Sequence, residues 1–200
     1  MKKESNRFDI GKMDPPTQEK NFNWYLEDFG LKTEDLKDKK ILDIGSGTIP
    51  KFVSYCLENN ITDQIYAVDR WSFGKERSFY TQEGRDQYNQ SYLDEFPARS
   101  NFIQAEGKKL PISKELKFDY IFMRASIDQE QDTDGLIHEV LSYLGSGGQL
   151  RIAPLHKDWP ETSRLREILL KLSDDFITEW RSGVVPRGGT NGDLVIITRK

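Results

Sequence analysis

The sequence predicts an α/β fold built on one doubly wound, mostly parallel sheet of seven strands whose last strand is antiparallel. Short apolar runs alternate with segments of helical periodicity along most of the chain, as they do in such folds. The run at 118–123 is unbroken, which is typical of a strand buried on both faces. The last two runs are joined by a loop too short for a helical crossover, so we expect them to pair antiparallel.

The elements follow in order along the chain. Residues 1–18 are polar and are interpreted as a flexible arm, and residues 19–200 as a single domain. An aromatic-rich helix opens the domain and stops at Gly30. The predicted strands are 41–44, 64–68, 101–104, 118–123, 149–153, 176–185 and 193–198. The predicted later helices are 135–144 and 161–172, with a glycine turn at 145–148 between the first of them and the fifth strand.

A long segment, residues 71–100, separates the second and third strands. It exceeds the dozen or so residues that a minimal helical crossover requires. Tyr88, Tyr92 and Phe96 recur at four-residue spacing, which places them on one helical face. Two interpretations stay open for this helical insertion: it packs on the sheet, or part of it forms a lid over a ligand.

Composition excludes several classes of protein. The 200 residues contain 29 Lys+Arg and 33 Asp+Glu, and this net charge of −4 disfavours nucleic acid as a partner. Hydrophobic residues make up 36% of the chain, which suffices for one core. A single cysteine, Cys56, excludes disulfides, cysteine-based zinc sites and iron–sulfur clusters, and no metal is expected. No apolar run resembles a signal peptide or a membrane span, so we expect a cytoplasmic protein.

A glycine-containing turn follows the first strand, at the edge where doubly wound sheets bind their ligands. Gly45 and Gly47, with Ser46 between them, let the backbone come close to a ligand. The next helix offers free N–H groups to a negatively charged group. Asp69 closes the second strand, where a carboxylate can hold ribose hydroxyls. Together these features indicate a ligand that contains adenosine.

Two residues near this turn discriminate between adenosine ligands. A dinucleotide fingerprint has a third glycine, and Pro50 stands at that position. The carboxylate of Asp43 would repel a pyrophosphate, but it suits a cation. S-adenosylmethionine has no phosphate and carries a sulfonium and an ammonium. Charge therefore favours S-adenosylmethionine over NAD.

Four motifs, in this order, resemble those of class I S-adenosylmethionine-dependent methyltransferases. The stretch from Asp43 to Gly47 resembles the first motif, and residues 105–111 resemble the adenine-contacting turn after the third strand. Residues 118–121 resemble the fourth strand, and residues 141–148 the helix and glycine turn before the fifth. The resemblance extends over about residues 20–200. It implies a small single-domain methyltransferase, EC 2.1.1.-, with a Rossmann-like sheet of strand order 3-2-1-4-5-7-6.

The resemblance also implies roles for residues near the methionine and ribose of the cofactor. Asp43 would contact the methionine amino group. Gly45, Ser46 and Gly47 would let the chain pass under the methionine and ribose, and Asp69 would bind the ribose hydroxyls. Asp43 as a helix cap and Asp69 as an ordinary turn residue are the structural alternatives.

On the adenine side, the resemblance implies a backbone contact from Ala105 and an acceptor for the adenine amino group in Glu106. Glu106 is one methylene longer than the aspartate usual in the family, and a plain surface acid is the alternative. Ile49 stands where the first motif normally has its third glycine. Arg70 replaces the apolar residue that often packs on adenine, and Trp71 is an alternative for that contact.

The ends of the fourth and fifth strands are expected to line the acceptor pocket. Arg124 is a candidate partner for an acidic group of the acceptor or for the cofactor, and a structural ion pair is its alternative. His156 is a candidate general base, and a hydrogen-bonded loop histidine is its alternative. The (Asn/Asp)-Pro-Pro-aromatic motif of DNA-amino methyltransferases is absent after the fourth strand, which disfavours flipped bases as acceptors.

The predicted function is methyl transfer from S-adenosylmethionine to a small molecule, with a peptide or protein side chain as the second acceptor class. At 200 residues we expect no appended recognition domain, which favours the small molecule. Two alternatives from other classes stay open. One is an NAD-dependent oxidoreductase on a related sheet, and the other is a catalytically silent module that binds a cofactor or a partner.

Overall fold

The fold was analysed in a computed structural model. It describes residues 18–47, 50–70, 101–107, 109–124, 126–127, 132–172, 174–187 and 190–200. The predicted arm, apart from its last residue, and the predicted insertion at 71–100 lie outside the described residues. Both therefore stay predictions.

Seven strands and five helices make up the described part of the chain. The helices are α1 Gln18–Phe29, α2 Thr33–Leu36, α3 Lys51–Glu58, α4 Thr133–Leu141 and α5 Pro160–Leu169. The strands are β1 Ile41–Ile44, β2 Ile65–Asp69, β3 Phe102–Gln104, β4 Phe118–Arg124, β5 Leu144–Leu155, β6 Phe176–Arg187 and β7 Thr190–Arg199. None of these helices combines the length and the hydropathy that crossing a bilayer requires.

The strands form one sheet in the order β3-β2-β1-β4-β5-β7-β6, which confirms the predicted topology. The pairs from β3 through β5 are parallel, and β7 pairs antiparallel with both β5 and β6. The strand order reverses between β1 and β4, because β2 and β3 lie on one side of β1 and the remaining strands on the other. This reversal is where a doubly wound sheet opens a crevice for a ligand at its carboxyl edge.

Each face of the sheet is covered by its own helices. Side chains alternate along a strand, so Leu42 and Ile44 of β1 face one layer while Ile41 and Asp43 face the other. The first layer contains α4 and α5, and the second contains α1 and α3. The α1–α3 layer is rich in aromatic side chains. They include Phe22, Tyr25, Phe29, Phe52 and Phe122, all of which are buried.

The largest difference from the sequence prediction is at the start of β5. Residues 145–148, predicted as a turn, lie within the strand, and α4 ends earlier than predicted, at Leu141. In the pairing of β4 with β5, Phe118 lies opposite Leu144 and Tyr120 lies opposite Gln149. Residues 145–148 are therefore extra residues on β5, and they form a bulge in the strand rather than a separate turn. A Cβ on Gly148 would lie 2.5 Å from the carbonyl oxygen of Phe118, so close packing requires glycine there.

The two final strands are longer than the sequence indicated. β6 and β7 remain paired as far as Arg187 opposite Thr190, so most of the short loop expected between the last two strands, residues 186–192, belongs to the hairpin. The ladder shifts between Arg181 and Val185, where Gly183 adopts a φ of 67° and its N–H donates to Asp193 at 2.9 Å. A bulge stabilised by a buried carboxylate therefore extends the hairpin beyond the end of β5.

Candidate cofactor site

The turn after β1 is held against the ends of β2 and β4. The N–H of Gly45 donates to the carbonyl of Val68 at 2.8 Å, and the Ser126 hydroxyl donates to the carbonyl of Ile44 at 3.2 Å. Gly45 has a φ of 72°, and a Cβ on it would lie 2.3 Å from the Cβ of Ser126. Only glycine fits this position, because both the backbone conformation and the contact with Ser126 exclude a side chain.

Asp69 closes the turn from the β2 side. Its carboxylate accepts the N–H of Gly47 at 2.9 Å, and the residue is 7% exposed. Gly47 has a φ of 79°, and a Cβ built on it would meet no described atom within 4 Å. The structure thus brings Asp69 and the glycine turn together, as predicted. Among the described residues, none fills the space beside Gly47, where a ligand can approach the backbone.

Asp43 is buried beneath α1 and has no exposed surface. The Tyr25 hydroxyl lies 3.0 and 3.2 Å from its two carboxylate oxygens and donates to them. The Tyr25 ring stacks on Phe52, with centroids 4.1 Å apart. Burial raises the pKa of Asp43 to about 7, although the Tyr25 hydrogen bond and the charge of Arg124 lower it. Burial also raises the pKa of Tyr25 well above its ordinary value, so its hydroxyl stays a donor.

Arg124 ends β4 on the same face of the sheet. Its Nε lies 2.6 Å from a carboxylate oxygen of Asp28, which is 1% exposed. The guanidinium carbon lies 5.1 Å from the ring centre of Tyr25 and 5.9 Å from that of Trp24. The predicted ion-pair alternative for Arg124 is therefore present, and it places this guanidinium within the field of Asp43.

The whole of α1 is fixed to the sheet, a role that the sequence analysis did not assign to it. Besides Tyr25 and Asp28, the helix is held at its C-terminus, where Arg151 of β5 donates to the carbonyl of Phe29. Asp28 is the one acid on the aromatic helix face that runs through Tyr25 and Phe29. An acid on an otherwise apolar face indicates a buried partner, and this was the sequence feature that could have revealed the role of α1. The partners, Arg124 and Arg151, lie about a hundred residues away in the chain, so no local pattern connected them.

The predicted adenine-side residues follow β2 and β3. The N–H of Ala105 donates to the main-chain carbonyl of Asp69 at 2.9 Å, which places Ala105 beside the end of β2. Ala105 is half-buried, whereas Glu106 and Arg70 are exposed. Trp71, the alternative partner for adenine, lies outside the described residues. The structure therefore collects Asp69, Ala105 and Glu106 at one edge of the sheet.

His156 lies after the end of β5. It is half-buried, and its ring centre is 4.4 Å from that of Trp159. Within the described ranges, no side chain forms a hydrogen bond with its imidazole. A general base is normally oriented by a second polar group, so the catalytic role of His156 stays a prediction.

Comparisons with known proteins agree on this fold. A family model described as "Methyltransferase domain" matches residues 25–188. A solved rRNA methylase from Streptococcus thermophilus superposes with a TM-score of 0.53 at 14% identity, covering 94% of this chain and 98% of that one. The plantazolicin methyltransferase BpumL in complex with S-adenosylhomocysteine superposes with a TM-score of 0.57 at 14% sequence identity, covering 90% of this chain and 84% of that one. Magnesium protoporphyrin IX methyltransferase from Synechocystis, with bound S-adenosylmethionine, has a TM-score of 0.56 at 15% sequence identity, covering 92% of this chain and 78% of that one.

No curated protein sequence matches the chain. The family match, however, spans well over half of the 200 residues and includes the glycine turn, Asp69 and Arg124. It favours methyl transfer over the hydride transfer that the sequence had left open as an alternative. The chain therefore belongs to the methyltransferase-domain family and has the fold of the class I S-adenosylmethionine-dependent methyltransferases.

Proposed function

We propose that this chain binds S-adenosylmethionine at the glycine turn after β1 and transfers its methyl group to a small molecule. The observation that carries the proposal is the hydrogen bond from the Gly47 N–H to Asp69. It joins the turn to the end of β2 at 2.9 Å, beside the point where strand order reverses. The methyltransferases that superpose on the chain include structures with this cofactor or its product bound, which supports the same assignment here.

The residues present fit this cofactor. No described residue fills the space beside Gly47, and two acidic residues lie close to the turn: Asp69 accepts the Gly47 N–H, and Asp43 stands two residues before Gly45. One guanidinium, that of Arg124, offsets part of this negative charge. A site of this polarity suits a sulfonium and an ammonium and disfavours a pyrophosphate.

Within the proposed site, Asp69 would hold the ribose hydroxyls and the turn at Gly45, Ser46 and Gly47 would lie under the methionine. Ala105 and Glu106 would contact adenine. Asp43 is sealed beneath Tyr25, so its part is to hold the turn and α1 together and to supply negative charge from below. Direct contact between Asp43 and the methionine amino group would require Tyr25 to move aside.

The bound cofactor supplies a methyl carbon on a sulfonium, so that an acceptor lone pair forms the new bond as the carbon–sulfur bond breaks and S-adenosylhomocysteine leaves. The protein has to align the acceptor with that carbon, and positioning of this kind is worth roughly 7–11 kcal/mol. The rigid attachment of α1 places Trp24, Tyr25 and Arg124 along one wall and keeps that wall ordered. His156 is the candidate to take up a proton where the acceptor is a hydroxyl or an ammonium.

Titration calorimetry with S-adenosylhomocysteine tests the cofactor assignment. We expect a micromolar dissociation constant for the unmodified protein and no binding of NAD. Asp69→Ala should weaken binding at least tenfold, because it removes both the proposed ribose contact and the acceptor of the Gly47 N–H. Asp119→Ala is a matched control, since Asp119 is exposed at the opposite end of β4 and accepts only the Lys40 N–H. Absence of S-adenosylhomocysteine binding at millimolar concentration would contradict the proposal.

A further inference from the structure

In the described part of the chain, the side chain of Arg124 forms its hydrogen bond through one nitrogen, Nε. Its Nε donates to Asp28 at 2.6 Å, and its flat guanidinium is bounded by the rings of Tyr25 and Trp24. Asp28 is anchored by its position on α1, which is itself attached to β1 and β5. The orientation of the guanidinium is therefore set by buried groups and not by solvent.

The two terminal nitrogens of Arg124 carry four N–H donors. Across the described ranges, no residue accepts a hydrogen bond from either of them, and 14% of the side chain is exposed. Arginine can bind a carboxylate with two parallel N–H···O bonds, and an arginine held through Nε still presents its terminal pair for this purpose. Arg124 is the last residue of β4, two residues before Ser126, which packs on the glycine turn.

We propose that the terminal nitrogens of Arg124 bind a carboxylate of the methyl acceptor, so that the acceptor is a small molecule with a carboxylate near its nucleophile. The inference rests on the proposed methyltransferase function and adds a substrate class to it. Arg124 acts here as a specificity-determining residue that holds the acceptor at the end of β4, next to the turn that would hold the methyl donor.

The position of Arg124 favours the acceptor over the cofactor as the source of the carboxylate. The start of α3, with the N–H groups of its first turn and with Lys51 as its first residue, offers the carboxylate of the cofactor a partner of its own. Arg124 lies on the other side of β1, on β4. The sulfonium and ammonium of a bound cofactor would offset Asp43 and Asp69, so an anion at Arg124 would face less repulsion in the loaded protein than in the free one.

The test uses the full-length protein saturated with S-adenosylhomocysteine and titrates it with benzoate and acetate, with benzamide and acetamide as neutral counterparts. We expect the carboxylates to bind with millimolar dissociation constants and the amides to show no binding. Arg124→Gln should weaken carboxylate binding at least tenfold. Arg124→Lys, which keeps the charge and loses the two-pronged geometry, should have an intermediate effect.

Arg199→Gln is the matched control, because Arg199 bonds the Leu144 carbonyl at the opposite edge of the sheet and its loss changes the net charge equally. Its carboxylate affinity should equal that of the unmodified protein. S-adenosylhomocysteine affinity and the thermal midpoint, measured for each variant, show whether the fold and the cofactor site are intact.

Three results would overturn the inference. Equal carboxylate affinity in Arg124→Gln and in the unmodified protein would remove Arg124 from the site. Competition between benzoate and S-adenosylhomocysteine, with weaker cofactor binding in Arg124→Gln, would assign the arginine to the cofactor. Normal cofactor binding without any carboxylate binding would refute the substrate class alone, whereas failure of the unmodified protein to bind S-adenosylhomocysteine would refute the proposed function as well.

Discussion

The hydroxyl of Tyr25 donates to both carboxylate oxygens of Asp43, at 3.0 and 3.2 Å, and this contact joins the first helix to the first strand. Both groups are buried, and the phenol stacks on Phe52. A carboxyl group that titrates near neutral pH is thus held under an aromatic layer, next to the turn proposed to bind the cofactor. The charge state of one carboxyl connects the stability of the fold to the electrostatics of the site.

Stability should depend on pH through Asp43. Its pKa is about 7 in the folded protein against 3.8 for the ordinary group, so the folded state holds a proton that the unfolded state releases between these values. The stabilisation is fully present below about pH 4 and is lost as pH rises to 7. The side chain in Asp43→Asn does not titrate. Between pH 5 and 8, the free energy of unfolding of the unmodified protein should therefore fall by roughly 2–3 kcal/mol relative to that of this variant. Urea unfolding at several pH values measures the difference, and parallel pH profiles would contradict it.

Removal of the Tyr25 hydroxyl should destabilise the protein most at alkaline pH. In Tyr25→Phe the ring packing is kept, but the buried carboxylate loses its donor, which costs about 1–3 kcal/mol. The hydrogen bond lowers the pKa of Asp43, so the variant should also titrate at higher pH. Comparison of urea unfolding at pH 8 and pH 5 checks this. Tyr55→Phe, at a half-buried tyrosine of α3, is the matched control, and an equal loss at both pH values would disprove the mechanism.

The two glycines of the turn should respond differently to substitution. Gly45→Ala places a Cβ 2.3 Å from that of Ser126, whereas Gly47→Ala meets no described atom and carries only the strain of its positive φ, about 1–2 kcal/mol. We expect the first variant to lose more stability than the second. Both variants should lose S-adenosylhomocysteine affinity, because the added Cβ of Gly47→Ala would enter the space proposed for the ligand. Ser126→Gly in the Gly45→Ala background should recover part of the loss, because it removes the clashing atom. Calorimetry and thermal melts report both effects, and no recovery would show that the contact is not the cause.

The ion pair between Asp28 and Arg124 should contribute strongly to stability because Asp28 is almost fully buried. Asp28→Ala leaves a guanidinium without its carboxylate, and breaking such a pair from one side costs about 3–5 kcal/mol. Glu179→Ala breaks the exposed pair with Arg181 and should cost far less stability, because solvent screens the two charges. Chemical denaturation measures the free energy of unfolding of both variants. Equal decreases in Asp28→Ala and Glu179→Ala would contradict the conclusion that burial makes the Asp28 pair the stronger one.

Much of the fold was predictable from local patterns. The glycine at the end of α1, the run after Lys40, the glycine turn and the antiparallel final pair are all confirmed. Asp69 and the turn were expected to meet because parallel strands end at the same edge of a sheet, and the Gly47 contact agrees with this. The bulge at 145–148 was missed because glycines signal both turns and bulges, and only the neighbouring strand decides between them.

The sequence by itself determined the order of strands and helices and the position of the turn, because hydrophobic period and glycine placement are local properties. The strand order and the family came from the resemblance of its four motifs to those of known methyltransferases. Only the tertiary structure decided that α1 is part of the site, that Asp43 is sealed beneath Tyr25, and that Arg124 is oriented by Asp28. These contacts join residues 18 and 96 positions apart, and they depend on which helix covers which face of the sheet. The charge state of Asp43 follows from burial, a property of the packed layers and not of any stretch of chain.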